Sequence, residues 1–589
     1  MKIRVAKPSE IPSEWYGETI GFDIESSDKT FEADICMVSV YSPKDDTSLV
    51  IGTKVYQKGV LKEIDSDELE ILKKFLGSIK AVGHFLQYDL SHVQHKWGVK
   101  MSVGFDTFIL SRMLQMDTNA LKEIYCRLYP EKAEHIFKFK EVLGEAPWSY
   151  NIDDPNVVKY SGLDAVLPFR IMDYYTSYIN REDTQRILDM EFRFVETSAD
   201  IRAEGINVDM EKFQRFNEQM KEVYNHKAME FSKHVGYSFR CNSSADIERE
   251  LVDKMGLVPP VKTKGGKYSM STECLEMMAD MYDTPDVRSI IEEILELKHL
   301  FSVVNSIKKV PQYVGDDMKF HPTVEQIGYD GTSRVYTSDP SVQQFPAEFR
   351  DCIVPSKGKK FMYMDWSGAE MYIAAYWGKC EEILRYFNEG LDPHTEVSKR
   401  LLGKESVSKD ERATSKVVTF ATFYGSEGAA VGRALHVDNE TGTQLVNKYL
   451  EIYPEIATLR SKIVAFAHKH EMTRTMFRRY RKLPKINSTW ETEKKKSERQ
   501  AFNTAIQNSC ADFYKAAVNR YKQFTEGEDI RFVIGVFDSL LFEVPEDYTE
   551  EQAVAFFEKV SDFSDIFPNF KFHYKWAFGK TWKECSDQT

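Results

Sequence analysis

Three sets of residues in this 589-residue chain have types and spacing that could do chemistry. In GFDIESS, Asp23 and Glu25 stand two apart in a strand-like run, so both side chains point to one face. Carboxylates this close repel unless a cation lies between them, and oxygen-rich sites suit Mg²⁺ or Mn²⁺. Alone, the pair fits a solvated strand edge equally well. Further on, GHFLQYDL offers Asp89. YSGLDAVLPFR offers Tyr160 and Asp164, four apart and therefore stacked on one helical face.

The second set is split along the chain. FMYMDWSGAEMYIAAYWG reads as a strand, then Asp365, then an apolar-faced helix in which Ser367 and Glu370 fit a capping box. Asp365 stands where a working carboxylate or a turn aspartate would. In FVIGVFDSLLFEV, Asp538 interrupts an apolar run, where a buried and unpaired acid is costly; a hairpin-tip turn residue is the bland alternative. The third set is ERATSKVVTFATFYGSEG. Arg412, Lys416, Phe420 and Tyr424 recur every fourth residue and wind slowly along one helix, which Gly425 ends. Two cations in line with two aromatics suit neither a core helix nor a solvated face. A ligand with phosphates at one end and a flat ring at the other, such as a nucleoside triphosphate, fits both halves.

The elements that must position these residues can be read coarsely. ETIGFDIE, ICMVSVYS, SLVIGT and IKAVGHF alternate with helix-like DELEILKKFLGSI, an α/β pattern. From about 176 to 310 the pattern is helical, with a stop expected at Gly205 and a long apolar stripe in VRSIIEEILELKHLFSVVNSIKKV. Mixed structure resumes near 320. The length implies three or four domains, and 42% apolar with 29% charged residues excludes a disordered chain. No apolar run approaches a membrane span, and eight scattered cysteines without a CxxC pair argue against a zinc site or disulfide framework. A cytoplasmic location is expected. The net charge of −14 disfavours a polyanionic partner, but RTMFRRYRKLPK (474–485) and KKKSER (494–499) are locally basic.

The ordered acids Asp23, Glu25, Asp89 and Asp164, with Tyr160 four before the last, resemble the DEDD-type 3′–5′ exonuclease in its tyrosine variant. The remaining motifs resemble those of family A DNA polymerases, the DNA polymerase I type. RxxxKxxxFxxxYG is the fingers-helix motif, DWSGAE is similar to motif A and VFDSLLFEV to motif C. SRVYTSDPSVQQFP, DPHT, RRYRKLPKINS, ERQAFNTAIQNSCADFYK and GKTWKE agree in order, so the likeness covers nearly the whole chain. No 5′-nuclease domain is expected ahead of Asp23, which suggests a phage-like enzyme.

The resemblance implies a multidomain α/β and α+β fold: a ribonuclease H-like exonuclease domain (1–175), thumb (176–318), palm (319–380 and 495–589) and fingers (381–494). It implies a template-directed DNA polymerase with proofreading, using two Mg²⁺ at each site, with Mn²⁺ as an alternative. Asp365 and Asp538 would hold the polymerase metals, and Asp23, Glu25, Asp89 and Asp164 the exonuclease metals, with Tyr160 orienting water. Arg412 and Lys416 would hold phosphates, Lys416 protonating pyrophosphate. Phe420, Tyr424 and His394 would line the nucleotide pocket, and Glu370 would exclude a ribose 2′-hydroxyl. Arg334, Arg499, Asn503 and Gln507 would read the minor groove, and Arg478, Arg479 and Arg481 would touch DNA phosphates. Primer–template DNA and dNTPs are the implied partners of a monomer that can also meet replisome proteins. Three positions depart from the family pattern: Phe85 replaces an Asn, and Phe537 and Ser539 replace the His and Glu flanking the motif C aspartate. A nuclease with a degraded polymerase half and a non-catalytic primer–template binder are the rival readings.

Overall fold

The strand Thr19–Ser26, which carries Asp23 and Glu25, lies inside a six-stranded mixed sheet. Its order is Lys2–Val5, Thr47–Gly52, Ile35–Ser42, Thr19–Ser26, Lys80–Gly83 and Ser102–Asp106. The strand pairs antiparallel with Ile35–Ser42, setting Asp23 opposite Ser39, and parallel with Lys80–Gly83. This computed structural model describes all residues except 29, 132–135, 137–149, 177–181, 264, 283, 329–330, 424–427, 436 and 526.

The helix Pro155–Thr176 lies on that sheet, and two glycines set how closely. A Cβ at Gly21 would stand 2.2 Å from the Ala165 carbonyl oxygen, and one at Gly162 would stand 2.4 Å from an Ile3 methyl. Side chains there would push the helix away. Their absence lets Asp164 approach the acids of the strand. Ser39 and Ser161 hydroxyls, 2.8 Å apart, close the same seam.

The helix Glu182–Glu204 ends where the sequence predicts, with Gly205 in the left-handed region at φ +71°. Beyond it, Met210–Val235, Thr272–Met281 and Pro285–Lys308 share a separate core of Phe231, Leu275, Met278, Ile291 and Ile294.

A second sheet holds the other acids. Four antiparallel strands run in the order Arg531–Val536, Ser539–Pro545, Lys359–Trp366, Tyr574–Gly579. The 34-residue helix Glu491–Phe524 packs beside it, and the helices Pro393–Leu402, Lys409–Phe423, Asn439–Ile452 and Pro454–His470 form the segment between.

The parts are joined by buried ions. Glu191 accepts from Lys515 Nζ at 2.7 Å and from Arg479, whose Nε donates to Asp512 at 2.7 Å; Lys515 also donates to the Gln326 carbonyl at 2.6 Å. Glu191, Asp512 and Lys515 are fully buried and Arg479 is 5% exposed. The expectation that Arg479 touches DNA is therefore corrected: its charge is spent on two internal carboxylates, because an unpaired buried ion is far costlier than a paired one.

Candidate active sites

Asp365 closes the strand Lys359–Trp366, and Asp538 sits in the two-residue turn between Arg531–Val536 and Ser539–Pro545. Antiparallel pairing puts Asp365 opposite Ser539, and the Trp366 N–H donates to the Asp538 carbonyl at 3.1 Å. Asp538 is thus a turn residue and a neighbour of Asp365 at once. Burial and the Asp538 charge push Asp365 up to about 7, against the pull of Lys575 and Lys416. Burial also raises Asp538 to about 6, moderated by its own backbone N–H, Arg334 and Lys416. Such acids gain most from a cation placed between them.

Phe537, first in that turn, has φ +59° and is 61% exposed. A tight hairpin favours glycine or asparagine at such a position, so a bulky ring here is unusual. The Arg334 guanidinium lies over the ring, 4.8 Å from its centroid, and its Nη2 is 2.6 Å from Glu370. Arg334, Glu370, Gln507, Phe537 and Asp538 line a narrow cleft. The capping box expected of Ser367 and Glu370 does not form. The helix Ala369–Gly378 starts after Gly368, which is left-handed at φ +62° and makes no side-chain cap, leaving Glu370 to pair with Arg334. Ser539, in place of the family glutamate, donates its hydroxyl back to the Val536 carbonyl at 2.9 Å and so braces the turn.

On the helix Lys409–Phe423, Arg412, Lys416 and Phe420 share a face as their spacing requires. Tyr424 lies outside the described residues. Arg412 makes a two-pronged ion pair with Asp392, at 2.8 Å through Nε and 2.7 Å through Nη2. Asp392 also caps the helix Pro393–Leu402 by accepting from the Thr395 N–H at 2.7 Å. These bonds hold its carboxyl well below the usual range. The His394 ring stands 5.8 Å from the Phe420 ring, and burial lowers His394 to about 4, keeping it neutral. Lys416 is exposed, and its charge reaches both Asp365 and Asp538.

In the first sheet, ligand oxygens of Asp23, Glu25 and Asp164 lie within 4.8 Å of one another. Asp89, in the helix Leu86–Trp97, stands beside them and accepts from the Ile24 N–H at 2.9 Å. Burial and mutual repulsion raise Asp23 well above its ordinary value and push Glu25 to about 8; burial raises Asp89 to about 8. Tyr160 is raised by burial and by the nearby acids. Glu25 Oε1 and Asp164 Oδ1 are buried and lack a hydrogen-bond partner among the described residues. Orphaned hard oxygens converging on one point are the donor set that Mg²⁺ or Mn²⁺ takes.

Phe85 begins the Leu86–Trp97 helix in the left-handed region at φ +61° and contributes no side-chain cap. Asn tolerates that conformation better than Phe. The buried Asp106 carboxylate compensates, accepting from the N–H groups of Phe85 at 3.1 Å and Leu86 at 2.8 Å. Lys122 and Tyr150 were missed in the sequence. Lys122 Nζ lies 3.0 Å from Asp164, and the Tyr150 hydroxyl donates to Glu25 at 3.3 Å. Both come from surface-like stretches whose spacing carries no signal.

Arg499, Asn503 and Gln507 are half-buried and share a face of the Glu491–Phe524 helix; Gln507 reaches the cleft beside Arg334. Arg478 is exposed at the tip of the hairpin formed by Met472–Arg474 and Tyr480–Lys482, and Arg481 donates to the Thr504 hydroxyl at 2.7 Å.

A sequence signature described as DNA polymerase family A matches residues 210–584, more than half of the chain. DNA polymerase I of Chloroflexus aurantiacus is 26% identical over 480 residues, covering 77% of this chain and 50% of its own length. That of Pseudomonas aeruginosa is 24% identical over 564 residues, 91% of this chain and 60% of its own. The chain spans about half the length of such relatives. The solved POL domain of Pol1 from M. smegmatis, in complex with DNA primer-template and dNTP, matches with a TM-score of 0.83 over 100% of both chains at 20% identity, a likeness of fold. The chain belongs to DNA polymerase family A.

Proposed function

We propose that the chain is a template-directed DNA polymerase that adds dNTPs to a primer 3′ end and proofreads with a 3′–5′ exonuclease. The observation that carries the polymerase reading is the meeting of Asp365, near the end of its strand, with Asp538 in the turn of the hairpin paired to it, within electrostatic reach of Lys416. The donor set Asp23, Glu25, Asp164 and Asp89 supports the exonuclease reading.

Asp365 and Asp538 would hold Mg²⁺ at one site, and Asp23 and Glu25 of the first sheet, with Asp89 and Asp164 from the two helices against it, would hold it at the other. When bound, divalent ions make the attacking oxygen more acidic and neutralise the leaving group. The chain's own residues do the rest. Lys416 and Arg412 bind the triphosphate, for which Arg412 must exchange its Asp392 partner for phosphate oxygens. Phe420 and neutral His394 bound the base and sugar. Glu370, held by Arg334, fills the space a ribose 2′-hydroxyl would need. Arg334, Asn503 and Gln507 read minor-groove acceptors, which are common to correct pairs. In these terms 1–175 is the exonuclease, 176–318 the thumb, 381–494 the fingers and the remainder the palm. The protein works as a monomer inside the cell; among the described residues no helix is long and apolar enough to cross a membrane.

Primer extension with Mg²⁺ and dNTPs tests both halves. Asp538→Asn should abolish extension and leave primer degradation intact, and Asp23→Ala should do the reverse. Normal extension by Asp538→Asn would refute the polymerase assignment.

A further inference from the structure

The ammonium of Lys122 lies inside the acid cluster of the first sheet. The helix Leu121–Leu128 packs on the helix Pro155–Thr176, which sets Lys122 Nζ 3.0 Å from Asp164 Oδ2 and 3.6 Å from the centre of the Tyr160 ring. The Lys122 side chain is 19% exposed and that of Asp164 11%. A lysine in the first turn of a short surface helix would ordinarily extend into water, where its charge is best solvated. Here it gives up most of that hydration to reach an acid and the face of an aromatic ring. Its charge opposes the upward shift of Asp164, Asp23 and Glu25 alike, so it serves the whole cluster and not a single partner.

The placement has a consequence. Asp164 offers two oxygens: Oδ2 is held by Lys122, while Oδ1 is buried and has no hydrogen-bond partner among the described residues. A divalent cation drawing on Asp164, Asp23 and Glu25 meets a resident positive charge at one of its own ligands. We propose that Lys122 is the exonuclease site's internal counter-cation: it competes with the divalent ion for Asp164, and, released from it, supplies positive charge to the phosphodiester being cut. The inference rests on the exonuclease reading above. In the hydrolysis it serves, a bond forms between water oxygen and phosphorus and the phosphorus–3′-oxygen bond breaks. The water proton ends on the released 3′-hydroxyl, and nothing is oxidised or reduced. An ammonium beside a phosphodiester stabilises the charge that grows in that step.

Lys122→Met removes the charge and keeps the side-chain length; Lys122→Arg keeps the charge. Circular dichroism establishes that each is folded. Mn²⁺ binding to the DNA-free protein, read by electron paramagnetic resonance, should be at least tenfold tighter in Lys122→Met than in the wild type and near wild type in Lys122→Arg. Exonuclease kcat on a single-stranded oligonucleotide should fall at least tenfold in Lys122→Met with KM little changed, and Lys122→Arg should recover part of it. Unchanged Mn²⁺ affinity in Lys122→Met overturns the competition, and tighter Mn²⁺ with undiminished kcat overturns the role at the phosphodiester. Asp23→Ala runs in parallel: if it degrades the oligonucleotide as fast as the wild type, the exonuclease reading fails and the role at the phosphodiester falls with it, while the Mn²⁺ titration still decides the competition.

Discussion

Arg334 is clamped between Phe537 and Glu370, its guanidinium 4.8 Å above the ring of one and 2.6 Å from the carboxylate of the other. Phe537 cannot donate the hydrogen bond of the histidine it replaces, but its ring orients the arginine beside Asp538. A cation–π contact at so exposed a site contributes about 0.5–1 kcal/mol, so Phe537→Ala should lower kcat/KM for primer extension by roughly 2- to 5-fold, and Phe537→Tyr should restore it. Steady-state extension kinetics measure this; Phe537→Ala at wild-type efficiency would show the clamp to be idle.

The same residue has an opposite effect on stability. A non-glycine residue in the left-handed region costs about 1–2 kcal/mol, and Phe537, 61% exposed, buries little in return. Phe537→Gly should therefore raise the thermal midpoint while slowing extension. A lowered midpoint in differential scanning fluorimetry would contradict this.

Arg479 and Arg478 are adjacent in sequence and opposite in burial. Breaking the buried network with Arg479→Met takes from Asp512 its ion-pair partner and leaves Glu191 with Lys515 alone as counter-cation, and should destabilise by about 3–5 kcal/mol in denaturant unfolding. Arg478→Ala should cost far less stability than Arg479→Met and should reduce the salt slope of DNA affinity by about 1, the signature of one lost phosphate contact. A stable Arg479→Met protein with a reduced salt slope would restore the expectation that Arg479 contacts DNA.

Stability of the metal-free protein should depend on pH through the two acid clusters. Glu25 and Asp89 are raised to about 8, Asp365 to about 7 and Asp538 to about 6. Unfolded carboxylates titrate near 4, so between roughly pH 4 and 8 these four acids hold more protons in the folded chain than in the unfolded one; His84, His92 and His394, lowered to about 4 by burial, act oppositely below about pH 6.5, so stability falls with rising pH from about 6.5 to 8. In EDTA the thermal midpoint should drop across that window. Excess Mg²⁺ should raise it more at pH 8 than at pH 6, because the ion replaces protons. A midpoint that rises with pH in EDTA but stays flat in Asp23→Asn would reverse the sign assigned here.

Glu370 is free of the capping duty its sequence context suggests, so its loss should be felt in sugar selection. Glu370→Ala should increase the efficiency of ribonucleotide relative to deoxyribonucleotide insertion by on the order of 10²-fold, the size of discrimination a steric pocket provides. Competing rNTP and dNTP extension assays measure the ratio, and an unchanged ratio would remove Glu370 from that role.

Local periodicity made much of this protein legible. Asp23 and Glu25 share a strand face because side chains alternate, and Arg412, Lys416 and Phe420 share a helix face because the turn is 3.6 residues. Gly205 ends its helix because only a left-handed residue does so cheaply. What spacing could not convey was which distant partner each polar group would find. Arg479 and Arg478 look alike in RRYRK, yet only one meets Glu191 across the fold. Glu370 matches a capping box, yet the Gly368 backbone and Arg334 claim it for the cleft. Lys122 reads as a surface lysine until the Gly21 and Gly162 contacts bring its neighbouring helix down onto the acids. Chemistry written in residue type and repeat belongs to the sequence. The pairing of charges belongs to the tertiary structure, because the energy of an ion is set by the partners and the water that packing leaves around it.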